Sequence, residues 1–393
     1  MDKIGGRPVT QMGSIKERFG DILQFPSEGT TCVPVPRTGD SDDATAKIWS
    51  FRPIEARGGS GGGGGAGGGE MDCRRVSALE LLLVSGGVML MLLLLLVHGP
   101  APVAAWGADG HHMTCHIAEP LLTPTAAAAV KSLLPEYANG SLAPLCSWPD
   151  EIRWMWKWMW TSPLHYIDTP DFLCNYKYER DCHDELFHMD MCVAGAINNY
   201  SSQLLGYKAP SANFKTDAVP SEHEKNAYNL TEALLFLAHY VGDIHQPLHV
   251  GFTGDLGGNT IMVHWYTRKY NLHHIWDSEF IFRARDQFFG GDLTALTEAI
   301  YLNVTTNWLE DSLKWAQCPS NSYPCPDPYA EESISLACKY AYRNATPGST
   351  LKDEYFLSRW PIVERRLAQG GVRLATLLNY LFSEDGTSQG LAI

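Results

Sequence analysis

One stretch of the chain, Leu234–Asp277, constrains the fold more than any other, because it places repeated His and Asp residues in and just after an apolar helical run. His239 and Asp243 are four residues apart, so they lie on one face of a single helix. Pro247 should end that helix at about Gln246, since proline cannot continue it. Two potential metal ligands therefore point the same way from one apolar helix.

Three further ligand candidates follow that helix. His249 comes two residues after the proline and is placed to turn back toward the helix face, and a second His-x-x-x-Asp pair, His273 and Asp277, closes the stretch. One such pair has ordinary structural explanations. Two pairs with a histidine between them predict a metal site, because imidazole and carboxylate groups are the ligands that zinc takes at hydrolytic sites.

The N-terminal part of the chain, residues 1–105, differs from the rest in composition and pattern. Residues 1–70 are polar and rich in Pro and Gly, without a period, and we expect a disordered low-complexity extension that arises from an alternative or mistaken start codon. Residues 71–105 combine two arginines, an apolar run and the small residues before Trp106, which predicts a signal peptide cleaved after Ala105. A membrane anchor beginning in Val84–Val97 is the alternative, but this run is short for a bilayer.

Cysteine usage and glycosylation signals agree with export of residues 106–393, the predicted catalytic domain. Two of the ten cysteines precede Trp106, which leaves an even number, and we expect the local disulfides Cys115–Cys146 and Cys182–Cys192. Five N-x-S/T sites predict N-linked glycans. These sites are Asn139, Asn199, Asn229, Asn303 and Asn344. The compartment predicted is the secretory pathway, with an extracellular or vacuolar destination.

The formal net charge of −14 argues against a protein that reads duplex DNA through a basic surface. It does not exclude nucleic acid as a substrate, because bound metal ions can supply positive charge at one site.

Helical patterns dominate the predicted domain, with apolar residues at spacings of three and four. Strand alternation is confined to the short segment Thr260–Tyr266, which could be a strand or a hairpin arm. The predicted fold class is therefore all-α, a multi-helix domain with a small β-hairpin. The helical segments are residues 123–134, 184–205, 221–246, 291–316, 328–343 and 357–382.

The segment Trp148–Trp160 is rich in tryptophan, and packing explains most of its rings. Asp150 and Arg153 place charges among these apolar neighbours, where burial would demand a partner. A metal ion for Asp150 and a phosphate for Arg153 would be suitable partners.

These candidates, taken in chain order, resemble the pattern of the S1/P1 nuclease family, and within it the plant bifunctional, endonuclease 1-like nucleases. The resemblance covers residues 106–393 and implies the phospholipase C/P1 nuclease fold. It also implies a site with three zinc ions, in which metal-activated water, oriented by Asp150, attacks phosphorus while Arg153 holds the phosphate. The ligands implied are Trp106, His111 and Asp243 for the first ion; Asp150, His165, His239 and Asp243 for the second; and His249, His273 and Asp277 for the third.

The resemblance gives Trp106 a special role, because it would bind the metal through its α-amino nitrogen and its carbonyl oxygen. The nitrogen is an amide until the chain is cut after Ala105, so cleavage would be chemically necessary for activity. Asn259 is a candidate phosphate contact or a simple turn residue. Tyr166 could stack a nucleic-acid base or serve only in packing. The remaining histidines have no matching role: His112, His116, His183, His188, His223, His245, His264 and His274.

The function implied is that of a secreted, glycosylated, monomeric zinc endonuclease. It would cleave single-stranded DNA and RNA to 5′-mononucleotides and would also remove phosphate from 3′-nucleotides. A zinc-dependent phospholipase C is the nearest alternative, since it would use the same ligands on a lipid phosphodiester. A non-catalytic secreted glycoprotein stabilised by zinc is the other alternative, and its metal sites would be closed.

Overall fold

The computed structural model describes residues 106–207, 228–319, 323–383 and 391. These residues belong to a folded unit that spans Pro102–Ile393. The predicted N-terminal extension, signal peptide and alternative membrane anchor lie outside the described residues, as do His223 and the first part of the predicted helix 221–246. Within the described ranges, the helices are all too short or too polar to cross a membrane.

Most of the described chain is helical, as the 3.6-residue periodicity predicts. The helices are α1 (Ala108–Ala118), α2 (Pro124–Leu133), α3 (Trp148–Ile152), α4 (Tyr178–Asp181), α5 (Val193–Leu204), α6 (Leu230–Asp243), α7 (Leu272–His274), α8 (Phe280–Phe288), α9 (Leu293–Thr305), α10 (Leu309–Trp315), α11 (Pro326–Leu336) and α12 (Asp353–Leu381). Two π-helical segments, Ile275–Glu279 and Ala337–Ala341, continue α7 and α11.

The two long helices α6 and α12 form the centre of the core. The C-terminal helix α12 packs along α1, and α6 packs along α5. Asn229 caps the start of α6 by accepting a hydrogen bond from the backbone N–H of Glu232. From Ala233 to Asp243 every residue of α6 is buried. The core therefore surrounds the end of α6, where the predicted ligands His239 and Asp243 lie.

The all-α prediction is confirmed, but several helix boundaries differ from the predicted ones. The predicted helix 184–205 begins only at Val193, because Cys192 has extended backbone geometry and its sulfur accepts from Gly195 N–H. Helix α6 ends at Asp243, three residues before the predicted end. The predicted helix 291–316 is two helices, α9 and α10, and the carbonyl of Asn303 accepts from both Thr306 and Trp308 where they separate.

Helix α1 has no counterpart among the predicted helices. It is buried on most of its circumference, and it contains Gly110 and Thr114. A helix surrounded by protein shows no alternation of apolar and polar faces, so its sequence lacks the periodic signal. Its tertiary contacts with α12 stabilise it instead.

The small β element agrees with the predicted hairpin arm. Strands β1 (Met262–Trp265) and β2 (Arg268–Asn271) form an antiparallel pair, and β3 (Thr350–Leu351) adds to β1 in parallel. Val263 and Trp265 are buried and alternate with more exposed residues, the period-two pattern of a strand covered on one face. The hairpin ends directly at α7, which carries His273.

Four disulfides link the described cysteines. Cys115–Cys146 and Cys182–Cys192 are the two pairs predicted from their spacing. The other two are Cys174–Cys338 and Cys318–Cys325. Because Cys174 and Cys338 lie 164 positions apart, local spacing gives no signal for that bond.

The five predicted glycosylation sites differ in how exposed they are. Four asparagines are exposed, but Asn303 is half-buried and its amide donates to Glu364 at 3.4 Å. The exposed ones are Asn139, Asn199, Asn229 and Asn344.

Candidate metal centre

Eight of the predicted ligand side chains converge in three adjacent groups, each able to hold a metal ion. They come from distant parts of the chain, and α6 contributes the pair at the centre, His239 and Asp243. The groups are His111, His239 and Asp243; Asp150, His165 and His239; and His249, His273 and Asp277.

The first two groups share residues. Asp243 presents one carboxylate oxygen, Oδ1, to His111 Nε2 at 3.2 Å and the other, Oδ2, to His165 Nδ1 at 3.0 Å and His239 Nε2 at 3.3 Å. Asp150 completes the second group with Oδ1 3.6 Å from His165 Nδ1. Asp243 thus has the geometry of a bridging carboxylate. The resemblance placed His239 only with the second ion, whereas its ring lies between both groups and stacks on His111 at 3.7 Å between centroids.

The third group is built from the segments that follow α6. His249 lies on the 3₁₀ turn Pro247–Val250, His273 on α7, and Asp277 on the π-helical segment. The two Nε2 atoms of His249 and His273 are 3.1 Å apart, and Asp277 Oδ2 is 3.3 Å from His273 Nε2. Isolated π-helical turns recur at functional sites, and this one turns a carboxylate toward two imidazoles.

The hydrogen bonds of the histidine rings show that these groups suit a cation. The Nδ1 atoms of His239, His249 and His273 lie 2.7–2.8 Å from the backbone carbonyls of Cys146, His165 and Gly257, respectively. A carbonyl oxygen can only accept, so each Nδ1 must carry the proton and each neutral ring presents a lone pair at Nε2. Two such lone pairs face each other across 3.1 Å between His249 and His273. A shared electrophile resolves this repulsion, and carbonyl-oriented imidazoles are typical of metal ligands.

Unpaired buried atoms point to the same conclusion. Several buried side-chain atoms find no hydrogen-bond partner within the described part of the chain, where an unpaired polar atom costs about 1–3 kcal/mol. They include both ring nitrogens of His111, Nε2 of His165, and Oδ1 of Asp150 and of Asp243.

The electrostatics of the protein alone favour neutral donors. Burial lowers the pKa of the His111 and His165 rings well below its usual range, and the neighbouring His239 charge adds to this effect. Burial also raises the pKa of Asp150 to about 6 and that of Asp277 to about 7. Neutral imidazoles and buried carboxylates form a donor set that divalent cations would satisfy.

Trp106 lies beside the first group, although only its surroundings bear on the predicted ligand role. Its side chain is fully buried. A Cβ atom added to Gly242 would be 2.8 Å from His111 Nδ1, so glycine lets α6 approach that ring closely, and the same position is 3.8 Å from Trp106 Cδ1, an ordinary contact distance. The next peptide, Gly107 N–H, donates to the carbonyl of Asp277 at 3.0 Å. The new N-terminus predicted by cleavage after Ala105 thus belongs to the same neighbourhood.

Arg153 is buried next to the second group. Its Nε atom is 3.5 Å from Asp150 Oδ1, and its guanidinium lies 4.7 Å above the ring of Trp154. Nε has no hydrogen-bond partner within the described ranges. A guanidinium held in this way presents N–H donors to an anion at the edge of the centre.

The other two predicted substrate contacts are arranged differently. The amide of Asn259 donates to the carbonyl of Leu256 at 2.8 Å and accepts from Asn271 at 3.2 Å, which is the geometry of a turn residue. Tyr166 directly follows the ligand candidate His165 and is half-buried, and burial raises the pKa of its hydroxyl to about 12. Their contacts with substrate stay predictions.

Gln246 is a site residue that sequence reasoning missed. It is fully buried, its Nε2 donates to Asp277 Oδ1 at 2.5 Å, and its Oε1 accepts from Leu248 N–H at 2.5 Å. It therefore orients a ligand of the third group and the turn that carries His249. A polar amide directly before Pro247, at the end of an apolar helix, was the available signal.

Of the histidines that were predicted to have no ligand role, those in the described part of the chain stay outside the three groups. His245 is buried, but its Nδ1 donates to Val241 O at 2.7 Å and its Nε2 accepts from Arg373 at 2.9 Å. His274, next to the ligand candidate His273, turns away and pairs with Glu279 at 3.5 Å.

Comparison with known proteins gives a consistent result. The model of the S1/P1 nuclease family matches residues 106–383. Endonuclease 4 of Arabidopsis thaliana is 56% identical over 285 residues, which cover 72% of this chain and 92% of the relative. Endonuclease 5 of the same plant is 52% identical over 299 residues, covering 75% and 96%. Nuclease P1 of Penicillium citrinum is 28% identical over 293 residues, covering 71% and 99%.

Proposed function

The chain belongs to the S1/P1 nuclease family, and from that premise we propose that it is a zinc-dependent endonuclease. It hydrolyses single-stranded DNA and RNA to 5′-mononucleotides and removes phosphate from 3′-nucleotides. The observation that carries this proposal is the set of three adjacent groups of buried His and Asp donors, with a carboxylate shared between two of them.

Zinc fits the donor set, because imidazole nitrogens outnumber carboxylates and no sulfur ligand belongs to these groups in the described chain. When bound, zinc would neutralise the phosphodiester, make a water molecule acidic enough to attack near neutral pH and stabilise the leaving oxygen. The nine residues that would hold the ions are Trp106, His111, Asp150, His165, His239, Asp243, His249, His273 and Asp277.

The protein's own groups then have separate tasks. Asp150 has an oxygen without a partner in the described ranges, so it can accept a hydrogen bond from the attacking water and orient it. Arg153, fixed between Asp150 and Trp154, donates to the oxygens of the scissile phosphate. Asp243 keeps the first two groups at a set separation by using both of its carboxylate oxygens.

Restricted access around the site supports a preference for single strands. Arg153 is buried, and Asp150 and Tyr166 are half-buried, with Tyr166 next to a ligand candidate. A base must leave the duplex before it can stack on a side chain there, so unpaired strands and nucleotide 3′-phosphates are the expected substrates.

The same proposal includes export. Four disulfides and four exposed N-x-S/T asparagines suit the secretory pathway, with an extracellular or vacuolar destination. Cleavage after Ala105 would give Trp106 a free amine, so export and assembly of the first metal site would be a single event.

The decisive experiment compares two forms of the protein. One begins at Trp106 and the other keeps Ala105 in front of it. We expect about three zinc ions per chain and cleavage of single-stranded DNA, RNA and 3′-nucleotides only with the free Trp106 terminus. Zinc content and product release are measured on the same preparation, with duplex DNA as the control substrate.

Three outcomes would contradict parts of the proposal. Equal activity in both forms removes the Trp106 amine from the mechanism. Hydrolysis of phosphatidylcholine without cleavage of nucleic acid assigns the centre to a phospholipase C. Full zinc content without hydrolysis of any phosphoester makes the metals structural.

A further inference from the structure

The segment Trp154–Trp160 exposes an unusual amount of apolar surface. Trp156 is 91% exposed, Trp154 is 55% exposed and Trp160 is 46% exposed. Met155 and Met159, between these tryptophans, are also more than half exposed. Soluble proteins leave clustered aromatic surface uncovered mainly where it binds something.

The other tryptophans of this region show that the exposure is selective. Trp148 and Trp158 turn inward, contact each other edge-on at 5.8 Å between centroids, and both contact Phe236 of α6. The Thr161 hydroxyl donates to the carbonyl of Trp158 at 2.7 Å. The segment is therefore anchored on the core by one set of rings while another set faces solvent.

Both ends of the segment lead to residues of the metal centre. Asp150 and Arg153 directly precede it, and the 3₁₀ helix that ends at His165 begins within it. The Arg153 guanidinium contacts Asp150 on one side and lies 4.7 Å above the Trp154 ring on the other. An anion held by Arg153 would thus lie next to the first exposed ring. The three rings span at most ~20 Å along an extended chain, a distance that a few nucleotides can follow.

The chemistry of the segment favours unpaired bases over a lipid surface. A membrane surface attracts clusters of Lys and Arg, whereas Lys157 is the sole exposed cation between Trp154 and Trp160, and the whole chain has a net charge of −14. The exposed apolar residues are flat indole rings and Met side chains. Indole rings stack on any base without regard to sequence, and bound metal ions would supply the positive charge that the backbone of the strand needs.

We propose that Trp154, Trp156 and Trp160 form a stacking surface for nucleotides beyond the two that the scissile phosphodiester joins. The surface makes the enzyme prefer longer single strands over dinucleotides and mononucleotides. This inference rests on the proposed nuclease function, and it adds a binding surface outside the metal centre.

Trp156→Ala tests the inference, because a side chain this exposed can be removed without leaving a cavity. Stacking is worth about 1–3 kcal/mol per base, so we expect kcat/KM on a 20-nucleotide single strand to fall by about 5- to 150-fold. On a dinucleotide and on a 3′-mononucleotide, kcat/KM should stay within about twofold. Trp156→Phe should retain most of the activity on the long strand, because a stacking ring is kept.

Two controls separate stacking from indirect effects. Tyr137→Ala removes an aromatic ring that is 75% exposed in another segment, and it should not change kcat/KM on the long strand or on the dinucleotide. The second control is a 20-nucleotide strand that is abasic except at the two nucleotides joined by the scissile bond. With the unmodified protein, kcat/KM on this strand should be lower by the same factor, and Trp156→Ala should lower it no further.

The outcomes distinguish the two proposals. An unmodified protein that cleaves no single strand refutes the nuclease function and, with it, this inference. An active protein in which Trp156→Ala affects the dinucleotide as much as the long strand, or affects neither, overturns the stacking surface alone. Loss of binding to phosphatidylcholine–phosphatidylserine vesicles, with unchanged strand kinetics, would assign the segment to a lipid surface instead.

Discussion

Two clusters of buried charge meet at the end of α6, and they differ in how completely their atoms are paired. On one side, His239 and Asp243 belong to the metal centre, where several buried nitrogens and oxygens have no partner within the described ranges. On the other side, His245 belongs to a network that we call the arginine network, formed by His245, Glu332, Arg366 and Arg373. The polar atoms of this network are hydrogen-bonded to one another and to the backbone.

The arginine network holds the chain where α6 ends. Arg366, on α12, donates to the carbonyl of His245 at 2.9 Å and to Ser333 Oγ at 2.6 Å. Glu332, on α11, accepts from Arg366 at 2.6 Å and from Arg373 at 2.6 and 2.7 Å. A positive charge at the carbonyl end of a helix is also favourable for the helix dipole. This network fixes the turn that leads from Asp243 to the third metal group.

The comparison teaches how to separate buried charge that serves structure from buried charge that serves chemistry. In the arginine network, each charge finds its partner inside the protein. In the metal centre, imidazole lone pairs face one another and two carboxylate oxygens have no hydrogen-bond partner within the described ranges, an arrangement that bound cations would satisfy. Changes in the arginine network should therefore affect stability, and changes in the metal centre should affect activity.

Asp243→Asn gives the largest effect expected on the metal side. The amide keeps the shape of the side chain but loses the charge and one of the two oxygen donors that face different groups. We expect a loss of roughly 10³-fold or more in activity on single-stranded DNA, since charge stabilisation by metals contributes several kcal/mol. Zinc content should fall as well.

Helical circular dichroism and zinc analysis accompany the Asp243→Asn assay. Asp311→Asn, which removes a charge from a surface ion pair with Arg365, serves as the matched control and should leave activity unchanged. Activity of Asp243→Asn within tenfold of the unmodified protein would contradict the bridging role.

Arg366→Met tests whether the arginine network serves stability rather than activity. It removes the Arg366 donors from the buried carbonyls of Ile244 and His245, whereas Glu332, which is 38% exposed, keeps its hydrogen bonds from Arg373. A buried acceptor left without a donor costs about 1–3 kcal/mol, so the midpoint of urea unfolding should drop. The activity of the molecules that stay folded should change only a few-fold.

The neighbouring residue provides the control for this prediction. Arg365 is 45% exposed and pairs with Asp311 at the surface, so Arg365→Met should change the free energy of unfolding by less than about 1 kcal/mol. If Arg366→Met abolished activity without lowering stability, the division between the two clusters would be wrong.

The two clusters also differ in how far the sequence predicts them. The His and Asp residues of the metal centre stand out at short spacings, such as His239 with Asp243 and His273 with Asp277, and the family pattern supplies the rest. The arginine network joins α6 to α11 and α12, which are distant in sequence. A surface arginine and a buried one look alike in sequence, as Arg365 and Arg366 show, because burial is decided by tertiary packing.

The same reasoning applies to the fold. Most of the long helices with one apolar face were predicted. Helix α1 was missed because it is buried on most sides, and α8 was missed although only one of its faces is buried. Gln246 was missed because a single glutamine has no periodic signal, although its two hydrogen bonds orient Asp277 and the turn carrying His249. Local patterns therefore predict secondary-structure elements and the types of metal ligand. Long-range contacts decide which buried polar groups have hydrogen-bond partners.

The smallest predicted effect is the pH dependence of the arginine network. Burial alone would raise the pKa of Glu332 above its ordinary value of 4.5, but the hydrogen bonds from Arg373 and the charge of Arg366 lower it to about 2. A folded-state pKa below the unfolded one contributes stability above about pH 4.5, and this contribution is lost as the pH falls toward 2.

Glu332→Gln should therefore lower the free energy of unfolding near neutral pH, and the difference from the unmodified protein should shrink as the pH falls from 4.5 to 2. Because the Glu332 side chain is 38% exposed, solvent screening limits the pH-dependent part to about 1 kcal/mol. Acid also removes metal ions, but it does so in both proteins, so the difference between their thermal midpoints isolates Glu332. Glu310→Gln, at an exposed position, is the control. A difference that stayed constant from pH 6 to pH 2 would mean that the charge of Glu332 does not stabilise the network.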